Sequence, residues 1–190
     1  MPRRYLHERR IVTGLIAAIV AGLAWLATLS PLGAEEMSVR TPIEGTGIVY
    51  RVIDGDTFIV NMDDRALYER LRAAAREPVQ ARHLNDRFAS FRIRLFGIDT
   101  PESVHPDEAR NTAEGRAISQ AVRDVLEGER VGFRCWTFGL YGRAICSVSL
   151  GGADVGEWLI ANGASPYDTR FGRHPFDDVR YRAAERSVSR

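Results

Sequence analysis

Three short segments of the sequence carry polar side chains of the types that act on phosphate esters. They are residues 54–57 (DGDT), 94–102 (RLFGIDTPE) and 141–143 (YGR). Asp56 lies where a predicted strand begins and Asp99 where one ends, so the two carboxylates converge if those strands are neighbours. Close carboxylates repel each other unless a cation lies between them. Their hard oxygen atoms suit Ca²⁺ or Mg²⁺ better than zinc.

Two residues near Asp99 can join such a cation site. Thr100 precedes a proline, which biases its backbone to an extended conformation, and its carbonyl oxygen can then face the same ion. Arg94 stands five residues before Asp99, which places the two on opposite faces of a straight strand. Contact between them therefore requires a twist of the strand or a bend at Gly97.

Two arginines and a glutamate supply the remaining chemistry. Arg94 and Arg143 can hold a phosphate and stabilise charge in a phosphoryl-transfer transition state. Glu102 follows the strand on a loop, where it can act as general base toward a water. Each residue alone has a simpler interpretation, since Asp54 suits an ordinary turn and arginines on a strand are usually solvated. The pattern therefore indicates a metal-assisted phosphodiesterase and leaves the simpler readings open.

The elements that must position these residues follow from hydrophobic periodicity. Alternating patterns predict strands over residues 47–53, 57–62, 89–98, 130–138 and 143–150, and helical spacing predicts helices over 113–126, 155–162 and 177–186. Short strands with interleaved helices indicate an α+β fold. We expect a small five-stranded β-barrel with about three packed helices.

An additional segment, residues 64–88, separates the second and third predicted strands. Asp64 is a good helix N-cap, and Leu67 and Leu71 recur at helical spacing. These signals predict a short amphipathic helix that ends near Glu77, just before Pro78. Because the segment leaves the strand at the end opposite Asp56, we expect it to lie away from the predicted site.

The N-terminus has the pattern of a targeting segment. Four arginines precede an uncharged run of 19 residues over positions 11–29, which as a helix is about 28 Å long and approaches the hydrocarbon thickness of a bilayer. Acidic residues follow the run, so the positive-inside rule places the rest of the chain across the membrane. Residues 1–34 are predicted to be an uncleaved signal anchor or a cleaved signal peptide, residues 35–46 a polar linker, and residues 47–190 one domain.

Composition narrows the class of protein. The 190 residues are 45% hydrophobic, which is enough for a core, and the formal net charge of +1 excludes a strongly basic, histone-like binder. The 26 basic side chains are all arginine. Any grip on phosphate must therefore come from arginine, the backbone or a metal ion.

The motifs together resemble a known family. VIDGDT at 52–57, RLFGIDTPES at 94–103 followed by VHP, and YGR at 141–143 occur in the order of the thermonuclease, or staphylococcal nuclease-like, family. The resemblance extends over about residues 47–186 and includes the downstream helix pattern. It implies a five-stranded OB-fold-type barrel and Ca²⁺-dependent cleavage of DNA and RNA at the 5′ P–O bond, which leaves 3′-phosphate ends.

The resemblance also implies roles for individual residues. The Ca²⁺ ligands would be Asp56, Asp99 and the carbonyl of Thr100; the scissile phosphate would be held by Arg94 and Arg143, with Glu102 as the base and Tyr141 against the nucleotide. The sequence departs from the family at Leu140, where a basic residue is expected. It departs again at residues 165–171, where Tyr167 or Phe171 would have to provide base stacking.

Two cysteines lie on the strands that flank the GLYG turn. Cys135 and Cys146 are nearly symmetric about its centre, and cross-strand neighbours have the spacing that a disulfide requires. We expect a bridge in an oxidising compartment, with two buried free thiols as the alternative.

The sequence thus predicts an exported Ca²⁺-dependent nuclease with DNA or RNA as substrate. It would be anchored through residues 11–29 and face the periplasm or cell exterior, or be secreted if the leader is cleaved. No obligate protein partner is indicated. The alternative is a non-catalytic nucleic-acid- or protein-binding module on the same barrel.

Overall fold

A computed structural model describes residues 37–188, and in it five strands close into a barrel. Strands β4, β2, β1, β5 and β6 pair antiparallel in that order, and a parallel pairing of β4 with β6 closes the sheet, while β3 and β7 extend it. The strand bounds are β1 Ile43–Asp54, β2 Thr57–Met62, β3 Leu84–Asn85, β4 Ser90–Leu95, β5 Arg130–Phe138, β6 Ala144–Leu150 and β7 Ala153–Asp154. The predicted five-stranded barrel is confirmed.

Alternation along β2 and β4 separates a core face from an outer face. Phe58 and Val60 on β2 pack inward with Phe91 and Ile93 on β4, and all four are fully buried. The intervening residues point outward and are partly exposed. Side chains two residues apart share a face of a strand, so each strand presents one continuous outer row that leads from the Asp56 end of the barrel.

Helices cover the barrel and build the segment between β2 and β4. They are α1 Arg65–Ala74, α2 Pro78–Ala81, α3 Ala113–Leu126, α4 Val155–Ala161 and α5 Asp178–Val188, with a 3₁₀ turn at Glu108–Arg110. Helices α3, α4 and α5 correspond to the three predicted over residues 113–126, 155–162 and 177–186. Helix α1 ends at Ala74 rather than near Glu77, because Glu77 is held in an extended conformation before Pro78.

The first strand begins earlier than predicted. Residues 43–46 were assigned to a polar linker over 35–46, but they pair in register with residues 132–135 of β5. Gly45 fits this position because any Cβ there would overlap the Leu67 side chain of α1. The linker prediction is therefore wrong for residues 43–46, where glycine serves close packing rather than chain flexibility.

A disulfide joins β5 to β6, and an aromatic cluster packs the loop before α5 against the barrel. Cys135 and Cys146 are directly opposite each other on β5 and β6 and are joined in a disulfide. His174, 2% exposed, packs edge-on against Trp136 and against Phe96 at ring distances of 5.5 and 5.6 Å. This cluster ties the loop before α5 to the barrel.

The predicted leader lies outside the described residues. Within residues 37–188, no helix has both the length and the hydropathy that a membrane span requires.

Candidate active site

The turn between β1 and β2 is held by a buried carboxylate. One carboxylate oxygen of Asp54 accepts hydrogen bonds from the Gly55 N–H (2.9 Å), the Ser103 hydroxyl (2.7 Å) and the Ser119 hydroxyl (2.8 Å). These donors lie on the turn itself, on the loop after Ile98 and on α3. Asp54 therefore acts as a turn former, as its simpler interpretation holds, and it also fixes the neighbouring Asp56.

Asp56 is the buried carboxylate of the site. It is 5% exposed; one oxygen accepts the Thr57 hydroxyl at 2.9 Å, and the other accepts both the backbone N–H and the hydroxyl of Thr100 at 3.3 Å. The second oxygen also pairs with the guanidinium of Arg94. The structure thus brings together Asp56, Thr100 and Arg94 from segments that are distant in sequence.

Asp99 contacts the other terminal nitrogen of the same guanidinium. Gly97 turns the chain after β4 with a φ of 72°, and this bend lets Arg94 Nη2 approach the Asp99 carboxylate at 3.1 Å. The Asp99 backbone N–H donates to the Ser165 hydroxyl at 2.9 Å. Because the Asp99 side chain remains 44% exposed, the two carboxylates form a site that is buried on one side and open to solvent on the other.

The two arginines of the site lie in a desolvated, mutually repulsive setting. Burial and the nearby charge of Arg143 lower the pKa of Arg94, against the opposing attraction of Asp99. Burial also lowers the pKa of Arg143, which Glu102 opposes. Arg143 donates to the Thr57 hydroxyl at 2.9 Å. Arginine nevertheless remains protonated, so two positive charges converge beside the carboxylates.

Glu102 lines an open pocket next to Asp99. The pocket has a volume of about 370 Å³ and is also lined by Thr100 and Arg110. The Glu102 carboxylate is 40% exposed and lies 3.8 Å from Arg110, while its backbone carbonyl accepts the N–H of Thr112 at 3.0 Å. The backbone of Glu102 is thereby fixed, and its carboxylate faces the solvent-filled side of the site.

The Tyr141–Arg143 turn is supported by the inserted segment. Tyr141 is 69% exposed, and its carbonyl accepts a hydrogen bond from His83 at 2.8 Å. Gly142 has a φ of 82°, and a Cβ there would overlap the Val79 carbonyl of α2. The prediction that residues 64–88 lie away from the site is wrong, because the chain returns along the outer face after α1 and places α2 against this turn.

The segment over residues 165–171 contributes residues that sequence reasoning missed. Arg170 pairs with Asp99 and with Asp168, and Ser165 accepts the Asp99 N–H. No local pattern marks either residue, because the contacts depend on how this loop folds back onto the barrel. Of the two aromatics that were considered for base stacking, Tyr167 is 6% exposed and packs on Tyr181, whereas Phe171 is 83% exposed.

The donor set suits a hard cation. Within residues 37–188, no three His, Cys, Asp or Glu side chains converge as a metal cluster. The converging groups are two carboxylates, and a guanidinium already bridges them. Two carboxylates that lie close enough to share one guanidinium supply the hard oxygen ligands that a divalent ion such as Ca²⁺ prefers.

Comparison with known proteins identifies the family of this chain. The family model described as staphylococcal nuclease homologue matches residues 92–187. A protein named thermonuclease from Staphylococcus hyicus is 28% identical over 170 residues, an alignment that covers 82% of this chain and 79% of that relative. The match of this family model shows that the chain, with its barrel and its converging carboxylates and arginines, belongs to the staphylococcal nuclease homologue family.

Proposed function

We propose that this chain is a nuclease that hydrolyses phosphodiester bonds of DNA, RNA or both with the help of Ca²⁺. The observation that carries the proposal is the convergence of Asp56 and Asp99 on one guanidinium, with Arg143 beside it. Two partly buried arginines stabilise negative charge that builds up on a phosphate, and the carboxylates can hold a cation that does the same. Membership of a nuclease family supports the same reading.

The residues present fit a calcium site. Asp56, Asp99 and the carbonyl oxygen of Thr100 would hold the ion, since Ca²⁺ prefers carboxylate and carbonyl oxygens. When bound, Ca²⁺ supplies positive charge next to a phosphate oxygen. The contact of both carboxylates with the Arg94 guanidinium supports this proposal, because it places their oxygen atoms close to one positive charge.

Side chains of the protein bind the phosphate and accept a proton from the attacking water. Arg94 and Arg143 bind the non-bridging phosphate oxygens and stabilise the charge that develops on them. Glu102 takes a proton from a water whose oxygen forms the new bond to phosphorus. The bond from phosphorus to the 5′ oxygen breaks, that oxygen takes a proton from solvent, and the phosphate stays on the 3′ side.

We further propose that the enzyme works outside the cytoplasm. The arginine-flanked apolar run at 11–29 would export the chain and either anchor it facing the periplasm or cell exterior or be removed. The Cys135–Cys146 disulfide supports this reading, because such bonds persist in oxidising compartments.

Digestion of plasmid DNA and of RNA by the full chain, in Ca²⁺ or in EDTA, tests the proposal. We expect cleavage in Ca²⁺ only. Glu102→Gln should lower kcat by about 10²–10⁴-fold and Arg143→Ala by about 10²–10³-fold, with unchanged circular dichroism. Glu129→Gln and Arg186→Ala, at exposed positions, are the matched controls. Binding of nucleic acid without cleavage in Ca²⁺ would instead favour the non-catalytic module.

A further inference from the structure

A groove separates the inserted segment from the outer face of the barrel. It has a volume of about 470 Å³. Its floor comes from β1, β2 and β4 and its wall from the inserted residues 82–88; we call it the insertion groove. It is lined by Tyr50, Ile59, Asn61, Arg82, His83, Leu84, Asn85, Phe88, Ser90 and Arg92.

The insertion groove is continuous with the active site. Arg92 and Arg94 are two residues apart on β4 and therefore share a face, about 7 Å apart along the strand. On β2, Thr57 and Ile59 share the matching face and pair with Arg94 and Arg92, respectively. The outer rows of both strands thus pass from the candidate active site directly into the groove.

The groove is positively charged. Among residues 37–188, its lining includes Arg82 and Arg92 and no aspartate or glutamate. Arg92 forms no ion pair with any residue between 37 and 188, and its pKa is lowered by burial and by the charges of Arg143 and Arg51. An arginine that is surrounded by other arginines and lacks an acidic partner favours an anionic ligand.

The groove also displays aromatic rings to solvent. Tyr50 is 66% and Phe88 56% exposed, and Arg87 lies over the Phe88 ring at 5.2 Å. On the floor, the Asn61 amide oxygen has no hydrogen-bond partner in the described part of the chain. Exposed rings beside unpaired arginines are the combination that binds unpaired bases and their phosphates.

We propose that the insertion groove binds single-stranded polynucleotide, holding the nucleotides on one side of the phosphate at the active site. The inference rests on the proposed nuclease function. Arg92 contacts a neighbouring phosphate, and Tyr50 and Phe88 stack on unpaired bases. A duplex, whose bases are already stacked and paired, cannot use these rings, so the chain prefers single strands.

Binding in EDTA tests this assignment without cleavage. The probe is a fluorescein-labelled 12-residue oligothymidylate, and its anisotropy is measured with the full chain. Combining Tyr50→Ala with Phe88→Ala should raise Kd at least tenfold, because two base–aromatic stacks are lost. Arg92→Gln should reduce the slope of log Kd against log salt by about 0.7, the loss of one phosphate contact to a single strand.

Matched variants on the last helix are the controls. Val179→Ala and Arg186→Ala change an exposed apolar residue and an exposed arginine on α5, which does not line the groove, and should leave Kd within twofold. Thermal unfolding of every variant checks the fold, and Tyr50→Leu keeps bulk while removing the ring. Groove variants that bind within twofold of the parent, or a parent that binds duplex as tightly as single strand, would overturn the assignment.

The two proposals fail in different ways. A parent that binds oligothymidylate through the groove but cleaves nothing in Ca²⁺ would overturn the nuclease proposal and support the groove. A parent that cleaves DNA while its groove variants keep full affinity and an unchanged preference for single strands would overturn the groove alone.

Discussion

Replacing His174 with Asn is predicted to remove much of the acid sensitivity of the fold. The imidazole is 2% exposed. Its Nδ1 accepts the backbone N–H groups of Phe176 (3.2 Å) and Asp177 (2.9 Å), and its Nε2 lies 3.0 Å from the Ser147 hydroxyl. A ring nitrogen that accepts two N–H groups carries no proton, so the buried ring is neutral and donates from Nε2 to Ser147.

The size of the effect follows from the shift in pKa. Burial lowers the pKa of His174 from 6.5 to about 4; Arg134 acts in the same direction and Asp177 against it. Between these values the unfolded chain binds a proton that the folded chain does not, so the free energy of unfolding falls as pH falls. From pH 7 to pH 5 the loss is about 2 kcal/mol.

Urea unfolding followed by tryptophan fluorescence at pH 8, 7 and 5 measures this loss. The difference in unfolding free energy between pH 7 and pH 5 should be about 2 kcal/mol smaller in His174→Asn than in the parent. Between pH 8 and 7 the two proteins should change alike, which serves as the internal control, and His174→Gln provides a second variant. If both variants keep the full acid loss of the parent, the reasoning is refuted.

Protonation of His174 at low pH should also affect the active site, because the loop around His174 contacts it. The backbone N–H of His174 donates to the Tyr167 hydroxyl at 2.6 Å, and the backbone N–H of Asp168 donates to the Gly97 carbonyl at 2.9 Å. These bonds hold the loop that brings Arg170 to Asp99. Loss of activity in the parent as the pH falls toward 4 should therefore accompany loss of near-ultraviolet circular dichroism.

Three further outcomes are expected. Gly142→Ala should lower kcat about tenfold or more, and it should lower the free energy of unfolding more than Gly151→Ala does. Both glycines have a positive φ, but only Gly142 lies against the backbone of the inserted segment. Equal losses of unfolding free energy in urea would contradict this. Changing Cys135 and Cys146 together to Ala should lower the unfolding free energy by about 3 kcal/mol, from an 11-residue separation, and an unchanged urea midpoint would count against it. Ser165→Ala should raise the Ca²⁺ concentration for half-maximal cleavage about tenfold, since Ser165 orients Asp99; an unaltered Ca²⁺ titration would show that it does not.

Much of the barrel could be predicted because its signals are local. Period-two alternation in β2 and β4 marks the buried face residue by residue, and the DGD turn and the bend at Gly97 are both visible as short motifs. The convergence of Asp56 with Asp99 followed from assuming that their strands are neighbours. The pairing of Thr57 with Arg94 shows that they are.

What could not be predicted depends on long-range packing. Arg170 reaches Asp99 across 71 residues of chain, through a loop whose path is set by the buried Tyr167 and His174. The inserted segment leaves β2 at the far end, so its return to the Tyr141 turn has no local signal. Likewise, the glycines near residue 45 resemble a linker until the packing of α1 is known.

The products of cleavage test the central claim most directly. A 5′-labelled single-stranded DNA oligonucleotide is incubated with the full chain over a range of Ca²⁺ concentrations, and the fragments are analysed by mass spectrometry. We predict fragments with 3′-phosphate and 5′-hydroxyl ends, formed in Ca²⁺ and absent in EDTA. Fragments that carry 5′-phosphate ends, cleavage that persists in EDTA, or an intact oligonucleotide at every Ca²⁺ concentration would contradict it.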